Sequence, residues 1–135
     1  MPYRHSLRIR YDECDMQGIV FNAHYLAYCD DAFGVWVEAA MPGAMSFVGN
    51  AGSFDVVVKK AVVTWSGALR FGETVDIDCA VDRWGRSSFD VAFRGSVGGA
   101  ERFDVLTTYV NVSPGTHTPA PVAAAVKSAF GAESR

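Results

Sequence analysis

The stretch AHYLAYCDDAFGVWVEAA, residues 23–40, is the one long helical pattern in the chain and governs how the rest can fold. Its polar positions, Asp31, Gly34 and Glu38, recur every three or four residues and form one narrow stripe on a helix. Nearly every other side chain is apolar, so we expect this helix to be covered on most of its sides. A Pro-Gly pair at residues 42–43 ends it in the usual way.

Strand patterns lie on both sides of this helix. Before it, Leu7, Ile9 and Tyr11 alternate with polar residues, which predicts a half-buried strand over residues 7–11. After it, a glycine-containing loop at residues 49–53 leads into four apolar, β-branched runs. These runs are FDVVVKKAVVTWSGAL, TVDIDCAVD, SSFDVAFRGSV and RFDVLTTYVNV. The connections between them are short and contain glycine, which predicts an antiparallel meander of four strands.

The order of the elements indicates the fold. It reads strand, long helix, loop and four strands, with a short helix predicted after Pro121. The economical packing for this order is one curved antiparallel β-sheet wrapped around one long central helix. The sequence therefore predicts an α+β protein of the hotdog architecture, and its length predicts a single domain over residues 1–135.

Composition restricts the functional class. Half of the 135 residues are hydrophobic and 20% are charged, as in a globular protein that buries a core, and the high apolar fraction suggests a partner subunit. A net charge of −3 argues against nucleic-acid binding, and no apolar run approaches the length of a membrane span.

Cys14, Cys29 and Cys79 form no metal-binding pattern, so we expect free thiols. With no signal-peptide pattern at the N-terminus, a cytoplasmic location is predicted.

Several familiar sites are absent from the sequence. It contains no Gly-x-Ser-x-Gly elbow, no Walker-type phosphate loop and no Gly-x-Gly-x-x-Gly. His5, His24 and His117 are scattered, without the i, i+4 spacing of a helical metal site. We therefore expect no metal and no redox cofactor.

Three acids, Asp12, Glu13 and Asp15, precede the long helix. Acids in such a place can simply complement the helix dipole and its free N–H groups. Asp15, however, lies about seven residues before the helix, too far for an N-cap, and the apolar residues Gly-Ile-Val-Phe follow at 18–21. A carboxylate among apolar residues is costly unless hydrogen bonds or a function retain it. From the residues alone, a turn and an active site both remain open.

The segment DECDMQGIVFNAHYLAYCDDAF, residues 12–33, resembles the signature of the 4-hydroxybenzoyl-CoA thioesterase family of hotdog proteins. That signature is an acid, one residue, Asp, two residues and Gly-Ile/Val-Val, followed by a Tyr that opens the long helix. The turns RFGE (70–73) and WGRSSF (84–89) are also similar to that family, so the resemblance covers most of the chain. It implies an acyl-CoA thioesterase that hydrolyses an acyl- or aroyl-CoA.

The resemblance also implies roles for single residues. Asp15 would be the catalytic carboxylate, either as general base for a water or as nucleophile. A backbone N–H near Asn22, at the start of the helix, would stabilise the oxyanion. Gly18 would let the backbone turn sharply beside the substrate. Family members often carry His or Tyr at position 22, and Asn cannot take a proton there, which argues against a histidine-assisted mechanism; we do not expect His24 to act as a base.

Substrate binding is expected at two further places. Tyr25 would line the acyl pocket or belong to the core. The resemblance places the CoA phosphates on Arg83, Arg86, Ser87 and Ser88, although an ordinary solvated hairpin explains these residues nearly as well. Further aromatic residues could line an acyl pocket but are usually core in a small domain: Phe47, Phe54, Trp65 and Trp84.

The resemblance implies partners as well. Hotdog proteins pair their sheets edge to edge, so we expect a homodimer or a dimer of dimers (a homotetramer), with acyl-CoA as the small-molecule substrate and no nucleic-acid or membrane partner. Two alternatives remain. One is a thioesterase for acyl-carrier-protein thioesters, and the other is a non-catalytic acyl-CoA-binding hotdog module. A hydratase is disfavoured because the Asp and His motif of hydratase hotdogs is absent.

Overall fold

The computed structural model describes residues 2–44 and 54–133. The glycine-containing loop predicted at 49–53 and Phe47 lie outside these residues. The elements are β1 (Tyr3–Arg8), α1 (His24–Ala40), β2 (Val56–Trp65), β3 (Thr74–Trp84), β4 (Ser88–Val97), β5 (Ala100–Asn111) and α2 (Ala124–Phe130). The predicted long helix and the short C-terminal helix are both confirmed.

The five strands form one antiparallel sheet in the order β1-β3-β4-β5-β2. The predicted four-stranded meander is therefore correct for β3 to β5 and wrong for β2, which pairs with β5 at the far edge. The reason is that β1 occupies the free side of β3, so the chain must cross the end of the sheet through residues 66–73. Gly98 and Gly99 join β4 to β5 with φ of 57° and 84°, as a tight type I′ hairpin turn requires.

The first strand ends earlier than the sequence pattern predicts. β1 covers Tyr3–Arg8, and the chain then turns through a 3₁₀ helix at Tyr11–Glu13. The Arg10 N–H donates to the Glu13 carboxylate at 2.7 Å, which stabilises this turn against further strand pairing. Ile9 is buried as expected, whereas Tyr11 is 79% exposed, so its predicted burial is wrong.

The core lies between one face of the sheet and the two helices. The predicted alternation along β3 is confirmed, because Val75, Ile77, Cys79 and Val81 are all buried. The ring of Phe33 in α1 stacks on that of Tyr109 in β5 at 4.3 Å between centroids. Each such side chain contributes about 1.5–3 kcal/mol when fully buried.

Within residues 2–44 and 54–133, helix α1 is covered on one side only. Its buried residues face the sheet, and they are Tyr25, Tyr28, Cys29, Ala32, Phe33, Trp36 and Val37. Leu26 and Val35, at 39% and 38% exposure, remain open on the other side. The expectation that most sides of this helix are covered is therefore wrong for the part of a single chain that the structure describes.

The three cysteines are free, as predicted. Cys29 on α1 and Cys79 on β3 are buried in the core, and burial raises the pKa of the Cys79 thiol to about 12. Both thiols therefore serve as small apolar fillers in the core. In the part of the chain that the structure describes, neither helix is long and apolar enough to cross a membrane.

Candidate active site

Asp15 opens a tight loop that precedes α1. The Asp15 N–H donates to the Ile19 carbonyl at 2.9 Å, and the Gly18 N–H donates to the Asp15 carbonyl at 3.0 Å. Gly18 has a φ of +78°, a conformation that residues with a side chain rarely adopt, and a Cβ there would meet no neighbour. The requirement for glycine is therefore conformational.

The carboxylate of Asp15 is oriented by its own loop. Its Oδ1 accepts a hydrogen bond from the Gln17 N–H at 2.8 Å, the geometry of an Asx turn. Although the residue is exposed in this chain, a backbone donor thus restricts the direction of its side chain. A carboxylate held in this way does not depend on a neighbouring side chain for its position.

The loop is attached to the segment that connects β2 to β3. The Val20 N–H donates to the Leu69 carbonyl at 2.9 Å, and Ile19 forms an isolated antiparallel bridge with Arg70. The Phe21 N–H donates to the Glu13 carbonyl at 3.0 Å. Asp15 is therefore positioned by contacts on both sides, one from the 3₁₀ turn and one from residues 66–73.

The N-terminus of α1 carries no side-chain cap. Ala23 occupies the N-cap position and offers no hydrogen bond. The His24 N–H donates to the Phe21 carbonyl at 2.9 Å, whereas within residues 2–44 and 54–133 no backbone carbonyl takes the N–H of Asn22 or Ala23. Free N–H groups and the positive end of the helix dipole favour negative charge at this point.

Asp15 and Asn22 line one cavity of about 470 Å³. The rings of Phe21, Tyr25 and Trp65 supply aromatic walls, and Ser66, Gly67 and Ala68 supply a wall of small residues. The structure thus brings together three of the residues predicted from sequence: Asp15, Asn22 and Tyr25. Gly18 lies in the same loop as Asp15 and lines a second depression of about 620 Å³, which Asp15 also lines together with Tyr11, Met16 and Phe71.

Tyr25 belongs both to the core and to the cavity wall. It is only 2% exposed, and its hydroxyl oxygen accepts a hydrogen bond from the Leu69 N–H at 3.1 Å. Its ring meets those of Trp65 and Phe103 edge to face, at 5.7 and 5.1 Å between centroids. Tyr25 is therefore both a core residue and part of the pocket wall, so the two interpretations of this residue are compatible.

His24 lies beside this cavity and does not line it. Its ring is half-buried, between the edge-on ring of Phe21 at 6.2 Å and the stacked ring of Tyr28 at 6.5 Å. These aromatic contacts give His24 a packing role at the start of the helix.

The predicted phosphate-binding turn, residues 83–88, lies far from the cavity. The Arg83 guanidinium donates to Asp90 at 3.0 Å and to the Ser88 hydroxyl at 3.2 Å. The Ser87 carbonyl accepts a hydrogen bond from the Asn111 N–H, and Arg86 is exposed. Arg83 and Ser88 are thus engaged in a structural network, while the Arg86 side chain faces solvent.

The sheet separates this turn from Asp15 within one chain. Ile77 lies level with Gly95, Phe103 and Trp65 across the sheet, at the end of the sheet where the cavity is. Trp84 lies seven residue steps further along β3, roughly 23 Å at about 3.3 Å per residue. A single chain therefore does not bring residues 83–88 to the cavity.

Some cavity residues were missed by reasoning from sequence. The Ser-Gly-Ala wall at 66–68 reads as an ordinary turn after a strand, and Gln17 as a loop residue. The sequence distinguishes Trp65 only as one of several aromatic residues that could line a pocket. Their common role depends on β2 lying beside β5, a pairing that no local pattern contains.

Comparison with known proteins places these observations in a family. A sequence profile of the thioesterase-like superfamily matches residues 9–130. The chain is similar in structure to a 1,4-dihydroxy-2-naphthoyl-CoA thioesterase from Synechocystis, with a TM-score of 0.83, 14% identity and 96% of each chain covered.

Two further structures are similar to the chain. For a gentisyl-coenzyme A thioesterase the TM-score is 0.81 at 18% identity, over 95% of this chain and 98% of that one. For the dynemicin thioesterase the TM-score is 0.84 at 18% identity, over 96% and 95%. Identities this low show a shared fold alone. No curated protein matches the chain by sequence.

Proposed function

Because the chain belongs to the thioesterase-like superfamily, we propose that it hydrolyses an acyl- or aroyl-CoA thioester to the free acid and CoA. One observation carries this proposal: the Asp15 carboxylate and the uncapped start of α1 at Asn22 line the same cavity. A carboxylate and free N–H groups are the two elements that thioester hydrolysis requires, one to promote attack on the carbonyl carbon and one to stabilise the oxyanion.

The carboxylate can act by two routes. As general base, Asp15 takes a proton from a water whose oxygen attacks the carbonyl carbon, the C–S bond breaks, and the thiolate of CoA leaves and is protonated. As nucleophile, a carboxylate oxygen attacks directly, CoA leaves, and water hydrolyses the mixed anhydride. Label in the Asp15 side chain after a single turnover in ¹⁸O-labelled water would establish the second route, since only hydrolysis of the anhydride at the Asp15 carbonyl carbon can leave it there.

In either route, negative charge develops on the carbonyl oxygen of the substrate. The free N–H of Asn22, with that of Ala23 beside it, is our candidate for the oxyanion site. Preorganised donors of this kind contribute about 3–4 kcal/mol each to the barrier in enzymes of acyl transfer. Gly18 contributes by allowing the loop that holds the carboxylate against this end of the helix.

The acyl group fits the aromatic part of the cavity. Phe21, Tyr25 and Trp65 offer flat apolar walls, and Gly67 and Ala68 leave space between them. Because Asp15 also lines the depression beside Tyr11 and Phe71, a thioester whose carbonyl lies at Asp15 can extend one arm into each.

We propose that the CoA phosphates bind to a second copy of the chain. The two copies would form a homodimer, which can pair further into a dimer of dimers. β2 is an edge strand that exposes Val57, Val58 and Trp65, and such edges pair readily with another copy. Antiparallel pairing of two β2 strands about a two-fold axis would bring the Val56 end of the partner to the Trp65 end of this chain.

This arrangement gives the distant turn a role. In the partner, the turn at residues 85–87 would lie two strands in from the shared edge, roughly 10 Å at about 4.8 Å per strand. Arg86 has an exposed side chain with which to bind phosphate, while Ser87 would add a hydroxyl. Arg83 and Ser88 would support that turn through their mutual hydrogen bond.

The remaining parts of the proposal concern fold and setting. We propose that α1 is the central helix of a hotdog fold, supported by its seven buried residues against the sheet. The reaction needs no metal or redox cofactor, since CoA enters as part of the substrate. Free thiols at all three cysteines support a reducing, cytoplasmic setting, with no nucleic-acid or membrane partner.

A thiol-release assay tests the function. Wild type and Asp15→Ala are compared on acetyl-, decanoyl- and benzoyl-CoA, and on the same acyl groups carried by acyl carrier protein. We expect turnover of at least one CoA thioester by wild type and its loss in the variant. Preference for the carrier-protein thioesters would instead make the chain a carrier-protein thioesterase, and binding of acyl-CoA without turnover would make it a binding module.

A further inference from the structure

Arg102 makes three side-chain hydrogen bonds near the cavity without lining it. Its guanidinium donates to both carboxylate oxygens of Glu73, at 2.9 and 2.7 Å, and to the Ala68 carbonyl at 2.6 Å. Both side chains of the pair are mostly buried, with 22% and 23% of their surface exposed. The planar fork of arginine suits this arrangement, in which one group holds a carboxylate and a backbone carbonyl together.

The backbone at this position reinforces the same contact. The Arg102 carbonyl accepts the N–H groups of Ser66 and Gly67, at 2.9 and 3.0 Å. The Ser66 hydroxyl donates to the neighbouring Glu101 carbonyl at 3.2 Å. All three residues of the small cavity wall, 66–68, are therefore held by residues 101 and 102 of β5.

The next residue carries these contacts to the catalytic loop. Leu69 follows Ala68, and its N–H donates to the Tyr25 hydroxyl while its carbonyl accepts the Val20 N–H. At the other end of the segment, Glu73 also accepts the Arg70 N–H at 2.7 Å, and Arg70 bridges Ile19. Arg102 is thus connected to both walls of the cavity through one short stretch of backbone.

We propose that Arg102, held by Glu73, is a positioning residue that sets the cavity wall at residues 66–68 and thereby selects acyl groups long or wide enough to reach it. The proposal rests on the proposed function, and it adds a determinant of acyl specificity that lies outside the cavity. Arg102 touches neither substrate nor Asp15, so its effect is on the shape of the site.

The consequence is a selective loss of binding. Without the guanidinium, the Ala68 carbonyl loses its donor and the wall at residues 66–68 can shift. The shift affects binding of a benzoyl group, which reaches the wall, and hardly affects an acetyl group, which does not. In Arg102→Met we expect kcat/KM for benzoyl-CoA to fall roughly ten- to hundredfold, mainly through KM, and that for acetyl-CoA by no more than about twofold. Arg94→Met is the control, because the Arg94 side chain on β4 pairs with the Asp104 and Glu101 side chains on β5 without touching the wall.

A charge exchange separates positioning from simple ion pairing. Arg102→Glu combined with Glu73→Arg keeps opposite charges at the two positions, but a glutamate at position 102 cannot donate to the Ala68 carbonyl. We expect the exchanged protein to regain the melting temperature lost in Arg102→Met while its KM for benzoyl-CoA stays high. Recovery of both, or an unchanged KM in Arg102→Met, would show that the pair only stabilises the fold and would overturn the proposal.

Three further experiments keep the proposal testable if the exchange fails to fold, and the last two of them do not require an active enzyme. Arg102→Lys should give an intermediate KM, because one ammonium cannot hold both Glu73 oxygens and the Ala68 carbonyl. Phenacyl-CoA cannot be hydrolysed, because a methylene group separates its sulfur from the carbonyl. Its binding should weaken in Arg102→Met even if wild type turns over no thioester. Such a lack of turnover would overturn the proposed function but not the positioning role of Arg102. Amide hydrogen exchange at Ser66, Gly67 and Leu69 should accelerate in Arg102→Met but not in Arg94→Met; unchanged exchange would contradict the proposal.

Discussion

The two ends of the sheet contain similar residue types used in opposite ways. At one end, Asp15 is held by a backbone N–H and its carboxylate lines a cavity. At the other, Asp90 accepts hydrogen bonds from Arg83 and from the Thr108 hydroxyl, at 3.0 and 2.7 Å, so its polar groups are satisfied within the chain. A charged group whose partners are all internal stabilises the fold, whereas one oriented only by its own loop is available for chemistry.

The largest stability effect is expected at the satisfied end. Asp90→Ala removes the acceptor of Arg83 and Thr108 from a site where the Asp90 side chain is only 15% exposed. Leaving these partly buried partners without their hydrogen bonds costs about 1–3 kcal/mol, towards the lower end for Arg83, whose side chain is 36% exposed. We expect chemical denaturation to show this loss while kcat stays at the wild-type value. A lowered kcat with unchanged stability would reverse the roles of the two ends.

A pair of glycines sharpens the same comparison. Gly18 needs a positive φ, whereas a Cβ on Gly85 would lie 2.8 Å from the Ser88 carbonyl oxygen and 2.6 Å from the Arg83 guanidinium. Alanine at either position should destabilise the protein by about 1 kcal/mol or somewhat more. Only Gly18→Ala should also lower kcat, because only its loop orients the proposed catalytic carboxylate, whereas Gly85→Ala, in the turn proposed to bind CoA, should act through KM. Equal losses of kcat in thiol-release assays of the two variants would contradict this.

The smallest effect concerns pH. The hydrogen bonds from Arg102 hold the pKa of Glu73 below its ordinary value. Since the folded-state pKa is lowered, the stabilisation is present above the unfolded-state value, near 4.3, and is lost as the pH falls through the folded-state value. Between pH 6 and about pH 3, wild type should therefore lose more unfolding free energy than Glu73→Gln. Parallel loss in denaturation curves of the two proteins would show that the pair contributes nothing.

What the sequence could predict depends on how local each feature is. The alternation along β3, the apolar length of α1 and the Gly98-Gly99 turn follow from neighbouring residues, and all three are confirmed. The Asp-x-x-Gly-Ile-Val pattern is also local, and it predicts the loop of Asp15 before the long helix.

Other features depend on residues far apart in the chain. Which strand lies beside β5 is settled by β1 taking the free side of β3, so the position of β2, and with it the Trp65 wall, could not be read locally. Arg102 and Glu73 are 29 residues apart and meet only after that arrangement forms. Even the early end of β1 depends on a reciprocal contact between Arg10 and Glu13 that competes with the alternating pattern.

The central claim is that Asp15 carries the chemistry while its neighbouring acids do not. Thiol release from the best acyl-CoA substrate, measured for Asp15→Asn beside Asp12→Asn, tests it most directly, because both variants remove one exposed acid from the same segment. We expect Asp15→Asn to lower kcat roughly 10²–10⁴-fold at unchanged melting temperature, and Asp12→Asn to stay within about twofold of wild type. Wild-type turnover in Asp15→Asn would contradict the account.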